Sequence, residues 1–345
     1  MTRRGMMVSL GLACCLGATA VAQERTPRPG GRRGGPGVAP AAGWRFGIQL
    51  YTFNRFSFVE ALDKAREAGV RAVEGFSWQK ISPETGDAQL NYKAPPEAIE
   101  KARQKLADNN IRLVGYYIGD WGKDEAEIRK HFEFGKKMGV QFFVGEPDVE
   151  QLKIIDKLAQ EFGIRLAFHN HPKDPGKPDY KNWDPDQVMA LIKPYSRQIG
   201  ICADTGHMLR SELDPVEGLK KYEGRIVSLH VKDVNEKGAK GKDVPLGTGV
   251  GNVKAQLEEL KRENFRGFIM IEYESKMEDN LEDVKESLRF LRETARELGV
   301  STGGRPEAGS WEGRGRPREG REGRDGREGR GRPGRGGRQR QTPQQ

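Results

Sequence analysis

Residues 124–172 read DEAEIRKHFEFGKKMGVQFFVGEPDVEQLKIIDKLAQEFGIRLAFHNHP. Two amphipathic stretches, 124–138 and 149–162, each stop at a glycine, Gly139 and Gly163. A glycine just past a helix suits the left-handed C′ position that closes the last turn. Each glycine is followed by a short apolar run, 140–145 and 164–169, of strand length. The second run ends in His169-Asn170-His171-Pro172. Helix, glycine, strand, polar mouth is the unit of an alternating βα chain.

The same rhythm runs outward in both directions. Strands are predicted at 45–52, 70–75, 111–118, 140–145, 164–169, 199–203, 226–231 and 268–272. Helices follow at 59–68, 96–109, 124–138, 149–162, 185–192, 215–222, 253–263 and 281–298. Asp184 before Pro185 and Asp214 before Pro215 supply N-caps, and Gly69 repeats the closing glycine. Eight βα units in about 255 residues predict a single-domain α/β fold, a (β/α)8 TIM barrel. An open doubly wound sheet would want a Gly-rich phosphate loop after its first strand, and Phe53-Asn54-Arg55 is no such loop.

The flanks read differently. Residues 1–22 carry Arg3 and Arg4, an apolar core from Val8 to Leu16, and Ala20-Val21-Ala22 before Gln23, the pattern of a cleaved signal peptide. Thr2-Arg3-Arg4-Gly5-Met6-Met7 is also a loose twin-arginine signal, so export by the general secretory or twin-arginine route to the periplasm or beyond is expected. Residues 23–43 form a Pro/Gly/Arg linker, 44–300 the barrel, and 301–345 an Arg/Gly-rich tail; linker and tail are expected to be disordered. With Cys14 and Cys15 in the signal, Cys202 is left alone and makes no internal disulfide. The net charge of +9 sits in the flanks: signal and linker hold +5 and the tail +6, leaving the middle near −2. No nucleic acid is therefore expected at the barrel, and no membrane once the signal is cleaved. The tail can be read as a contact for anionic polymers or as a solvated low-complexity segment, since acids interrupt its arginines.

Function in such a barrel sits at the C-terminal strand ends. Those ends hold Glu74, Glu146, His169, Asn170, His171, Asp204, His207, His230, Lys232, Glu272 and Glu274. Four of five histidines fall there; His131, on a helix, looks incidental. Side chains two apart share a strand face, which pairs His169 with His171, His230 with Lys232, Glu272 with Glu274, and Cys202 with Asp204. Imidazoles and carboxylates converging inside a barrel make a mixed N/O site for a divalent ion, Mn, Mg, Co or Zn. Taken singly, a buried Glu272 or Asp204 could be half of an ion pair, and His169 or His230 a core histidine. Cys202 reads as a small apolar filler. Trp78, Tyr116, Tyr117 and Trp121 either wall a sugar pocket or pack beneath loops, and Glu74 is either a substrate contact or a loop-mouth acid.

With these residues placed, the chain resembles the xylose-isomerase-like TIM-barrel superfamily of sugar isomerases, epimerases and endonuclease-IV-like proteins, in an exported branch. The resemblance covers about residues 45–298 and rests on His169-Asn170-His171-Pro172, Ala203-Asp204-Thr205-Gly206-His207-Met208, His230-Val231-Lys232-Asp233, Gly247-Thr248-Gly249 and Ile271-Glu272-Tyr273-Glu274. It implies that Asp204, His230 and Glu272 are metal ligands and that His207 holds a carbohydrate substrate beside Asn170 and Tyr117. The ketose 3-epimerases also use a strand-five Glu, and aligning Asn170 puts Ala167 in its place. Glu146 is the favoured replacement ligand and His169 the alternative. The implied chemistry is proton abstraction beside a carbonyl through an enediolate, with Glu272 as base and His171, His207 or Lys232 as the second acid/base. An isomerase/epimerase is the leading reading. A lyase or hydratase on 3-keto-glycosides and a non-catalytic sugar-binding barrel are the alternatives. A homo-oligomer is compatible with the resemblance. An endonuclease-IV-like zinc cluster would need more histidines than these.

Overall fold

Eight parallel strands close into one barrel in a computed structural model that describes residues 43–302. They are β1 (Arg45–Gln49), β2 (Ala72–Phe76), β3 (Arg112–Tyr117), β4 (Phe142–Gly145), β5 (Arg165–His169), β6 (Ile199–Asp204), β7 (Ile226–Val231) and β8 (Phe268–Ile271). Each pairs with its sequence neighbour, and β1 against β8 closes the ring, Arg45 facing Phe268 through to Ile48 facing Ile271. The helices are α1 (Phe58–Glu67), α2 (Pro96–Asp108), α3 (Glu125–Met138), α4 (Val149–Phe162), α5 (Pro185–Ile192), α6 (Thr205–Arg210), α7 (Pro215–Lys221), α8 (Val253–Arg262) and α9 (Leu281–Glu297). The expected signal and nearly all of the linker and tail lie outside the described residues. Among the described residues, no helix is long and apolar enough to cross a membrane.

The closing glycines do what their positions require. Gly139 and Gly163 sit at φ 79° and 69°, the left-handed caps of α3 and α4. Asp124, Asp148, Asp184 and Asp214 each accept a backbone N–H from the first turn of α3, α4, α5 and α7.

Two apolar layers result. The larger lies between barrel and helices and includes Ile48, Leu113, Leu166, Leu229 and Ile271 against Leu62, Ile155 and Leu288. The smaller fills the barrel itself with Ala72, Val114, Phe142, Val144, Ala167, Cys202, Phe268 and Met270. The two-residue strand period then stacks polar on apolar. Glu74 stands two residues beyond Ala72, His169 beyond Ala167, Asp204 beyond Cys202 and Glu272 beyond Met270. The inner plug is thus the dry floor of a polar mouth, and Cys202 is buried in it as the expected filler.

Three local features differ from the sequence reading. β1 stops at Gln49 rather than running to residue 52, because the Gln49 side chain accepts the Tyr51 N–H and starts a 3-10 turn, Leu50–Phe53. α6 was not anticipated: Asp204 ends β6 and at once caps a six-residue helix. A two-residue hairpin, Asp233–Val234 with Asp243–Val244, follows β7. The Asp233 carboxylate accepts N–H bonds from Gly247, Gly249 and Gly251 at 3.0, 3.0 and 2.8 Å. A Cβ on Gly249 would lie 2.4 Å from Asp233 Oδ1, which explains the glycine of Gly247-Thr248-Gly249.

Candidate metal centre

His169 from β5, Asp204 from β6, His230 from β7 and Glu272 just beyond β8 bring ligand-type atoms within 4.8 Å of one another, all buried. Their neighbours set the orientation of each. His230 Nε2 lies 2.9 Å from Glu74 Oε1. Its Nδ1 faces the cluster, 3.2 Å from His169 Nε2, 3.3 Å from Glu272 Oε2 and 3.9 Å from Asp204 Oδ2. Burial opposes charge on the ring, but Cys202, Glu74 and Glu272 raise it well above its ordinary range, so an ion bound there would displace the Nδ1 proton. A carboxylate behind a histidine in this way fixes its tautomer and raises its basicity as a ligand. Asp204 is clamped by Asn170, whose Nδ2 donates to the Asp204 carbonyl (3.1 Å) and whose Oδ1 accepts its N–H (2.9 Å). Asp204 Oδ1 accepts the His207 N–H at 2.7 Å, and Oδ2 is left facing the cluster.

The donor set fits a divalent cation. Asp204 Oδ2 is buried with no well-aligned hydrogen bond, although Lys232 Nζ lies 3.1 Å and His169 Nε2 3.6 Å away. Such an orphaned acceptor in a buried site asks for a ligand. Two imidazoles with two carboxylates suit Mn, Co or Zn better than an all-oxygen Mg site. Burial opposes charge on Asp204, yet His207 and Lys232 hold its carboxyl well below the usual range. Burial likewise opposes charge on Glu272, and Lys232 and His230 outweigh it. Burial pushes the Glu74 carboxyl up, with His230 pulling the other way. His169 is lowered by burial to about 4, so its ring is neutral and free to ligate.

Beside this quartet lies a second group. Glu146 Oε1 is hydrogen-bonded to His171 Nδ1, and Glu146 Oε2 accepts from Tyr180 OH and Asn182 Nδ2, each at 2.8 Å. His169 Nδ1 is 4.0 Å from Glu146 Oε1, so His169 stands between the two groups. The His171 side chain is 46% exposed and stacks on His207, ring centroids 5.2 Å apart. Burial opposes the charge of both partners, but each holds the other ionised: the Glu146 carboxyl goes down and the His171 imidazole up.

Several expected roles are redrawn by these contacts. Glu146, the favoured fourth ligand, falls with His169 and His171 in a second candidate ligand group, while His169 also joins Asp204, His230 and Glu272. Glu74 is neither a substrate contact nor a loop-mouth acid: it is fully buried behind His230. Asn170 spends both ends of its amide on Asp204 rather than on a ligand. Lys232, 1% exposed, is held by Asp204 (3.1 Å), Glu272 (2.7 Å) and Glu274 (2.6 Å). Burial opposes its charge, but the surrounding carboxylates raise its ammonium well above the ordinary range. Of the four aromatics, Tyr117 packs on His169 (5.5 Å) and Trp78 on Tyr117 (5.6 Å), walling the mouth. Tyr116 and Trp121 are buried under loops and helices. Ala167, where the strand-five Glu would stand, is fully buried in the floor. Tyr180 and Asn182 were missed; their only signal was a long loop between β5 and α5, which is where functional residues collect.

A closed (β/α)8 barrel with a buried two-His, two-carboxylate cluster at its C-terminal mouth defines a catalytic barrel of the isomerase, epimerase and lyase type, with a candidate divalent-metal site. The chain belongs to the xylose isomerase-like TIM-barrel family, whose model matches residues 62–294. It is 24% identical over 285 residues to inosose dehydratase of Mesomycoplasma hyopneumoniae, covering 68% of this chain and 88% of that protein. Among solved structures, an uncharacterised protein from Parabacteroides distasonis is 31% identical with a TM-score of 0.58, covering 72% of this chain and 98% of the other. An L-ribulose 3-epimerase shares the fold at 18% identity and a TM-score of 0.55, covering 74% and 96%. The chain is thus similar in sequence to a dehydratase and shares its fold with an epimerase.

Proposed function

We propose that this protein is a metal-dependent lyase that eliminates a hydroxyl or glycosidic oxygen β to the carbonyl of a keto-sugar ring. The observation that carries this reading is the asymmetry of the site. A two-carboxylate epimerase needs a base on each face of the substrate, and where the resemblance would put the second carboxylate, on β5, this chain has Ala167, buried in the floor. What stands on that side is His171 on Glu146, a hydrogen-bonded couple at the open mouth. An imidazole on a carboxylate is suited to giving a proton to a departing oxygen. The similarity to a dehydratase, inosose dehydratase, over most of that protein's length supports the same choice.

The roles follow from geometry. His169, Asp204, His230 and Glu272 would hold the ion, with Glu74 and Asn170 orienting His230 and Asp204. A bound divalent ion polarises the ketone and lowers the cost of enolate charge. Glu272 takes the proton from the carbon beside the carbonyl. The electron pair forms the new C=C bond as the β C–O bond breaks. His171 gives its proton to the leaving oxygen, so water or an alcohol departs. Lys232 keeps Glu272 ionised, and His207, stacked on His171, lines the substrate. Isomerase or epimerase activity is the second reading, favoured by the Asp204, His230 and Glu272 set: it shares the first proton transfer and differs in returning the proton to carbon.

Turnover in heavy water separates the two. The metal-loaded protein, given a 3-keto-glycoside or an inosose, is expected to give an unsaturated ketone with release of water or alcohol. An intact carbon–oxygen skeleton carrying solvent deuterium would replace the lyase reading with the epimerase one. Residues 1–22 further support export of the mature chain, and cell fractionation tests that: recovery in the cytoplasm with residues 1–22 still attached would refute it.

A further inference from the structure

A cavity opens at the barrel mouth, among the segments that follow β1 and β2. Its volume is about 880 Å³, and Tyr51, Phe76, Trp78, Gln79, Arg55 and Met277 are among its lining residues. Phe76 ends β2, and Trp78 and Gln79 follow it directly. Through Trp78 on Tyr117 and Tyr117 on His169, the cavity wall is continuous with the cluster. A cavity of this size takes a whole small ligand, since such pockets run to about 300–1,000 Å³, and none of the four cluster residues lines it.

Three features fix the chemistry of an occupant. Trp78 is 42% exposed although it touches Tyr51, Phe76 and Tyr117, so one large aromatic ring is braced from behind and offered to the cavity. Sugar C–H faces stack on such rings. Gln79 is 2% exposed, and neither its Oε1 nor its Nε2 has a hydrogen-bond partner. A buried carboxamide missing both partners is costly in the empty state and rewards a ligand with an adjacent donor and acceptor, as a vicinal diol has. The lining charges are already matched: Lys80 pairs with Asp87 at 2.7 Å, Arg55 with Glu278 at 3.4 Å, and Glu60 is bonded by Ser57. Nothing in that set is left over to hold a phosphate.

We infer that this cavity is a subsite for a second, uncharged sugar ring, stacked on Trp78 and hydrogen-bonded by Gln79, so that the substrate is a disaccharide or longer glycoside. The inference rests on the keto-sugar reading only in placing the first ring at the ion.

The test is calorimetric binding of cellobiose and maltose, each against glucose, to the metal-loaded full chain and to its Gln79→Ala and Trp78→Ala variants. None of these sugars carries the ketone, so binding is read without turnover. The parent should bind at least one disaccharide about tenfold more tightly than glucose, and both variants should lose that preference. Gln79→Glu, which keeps the shape, guards against a variant that fails to fold. No preference in the parent, or a preference that survives in folded variants, overturns the subsite. A preference lost in the variants, together with no elimination from any keto-sugar, upholds the subsite and sinks the lyase reading alone.

Discussion

Strands β4 to β8 and strands β1 to β3 end at the same mouth, yet, Glu74 of β2 apart, they present opposite chemistry. The first half offers ionisable side chains whose orientation is set from behind: Asn170 grips Asp204, Glu74 grips His230, and three carboxylates grip Lys232. The second half offers Trp78 and Tyr117, braced by other rings, and Gln79 with nothing to bond. Preorganised charge is what a charge-developing step needs, while an aromatic face with an unmet amide is what a neutral ring needs. One half is built to react and the other to hold. Within the reacting half a second division appears: the quartet is sealed, whereas His171 and Glu146 stand at the opening.

Breaking the sealed quartet should have the largest effect. Asp204→Asn removes a ligand and leaves Lys232 with less buried counter-charge. Turnover should fall by about three orders of magnitude and the bound ion should be lost, read by steady-state rates and elemental analysis. His171→Gln should lower kcat by about 10²- to 10⁴-fold with the ion retained; loss of the ion would show that the two groups are one. Glu74→Gln keeps the shape of His230's partner but not its charge, and should weaken metal affinity by about 10- to 100-fold. Equilibrium dialysis against a buffered ion measures this, and unchanged affinity would remove Glu74 from the account.

The smallest effect belongs to the holding half. His131 packs between Tyr92 and Trp121, and burial lowers it to about 4 from 6.5. Between those values the unfolded chain binds a proton that the folded chain refuses, so stability falls as pH drops through the window. Thermal melts of His131→Gln should show a shallower fall over that range than the parent; equal slopes would contradict the burial.

Legibility in the sequence followed the same division. The barrel could be read because glycines at left-handed caps and aspartates at N-caps are local signals, and Gly139, Gly163, Asp184 and Asp214 carry them. The grouping of His169, Asp204, His230 and Glu272 at one mouth follows from strand alternation, which is also local. α6 escaped because Asp204 serves as strand end and helix cap at once, leaving no loop to mark the change. The bond between Glu146 and His171 escaped because its partners lie on two different strand ends, 25 residues apart. The partners of Glu74 and Lys232 lie far away in sequence, and only the closed barrel brings them together.

The measurement that tests the central claim most directly is the metal content of the purified parent beside His169→Gln and Glu146→Gln variants, after equal loading. The account expects about one divalent ion per chain in the parent and in Glu146→Gln, and a small fraction of that in His169→Gln. An ion lost with Glu146 and kept without His169 would contradict it, and would return Glu146 to the metal and His169 to the proton transfer.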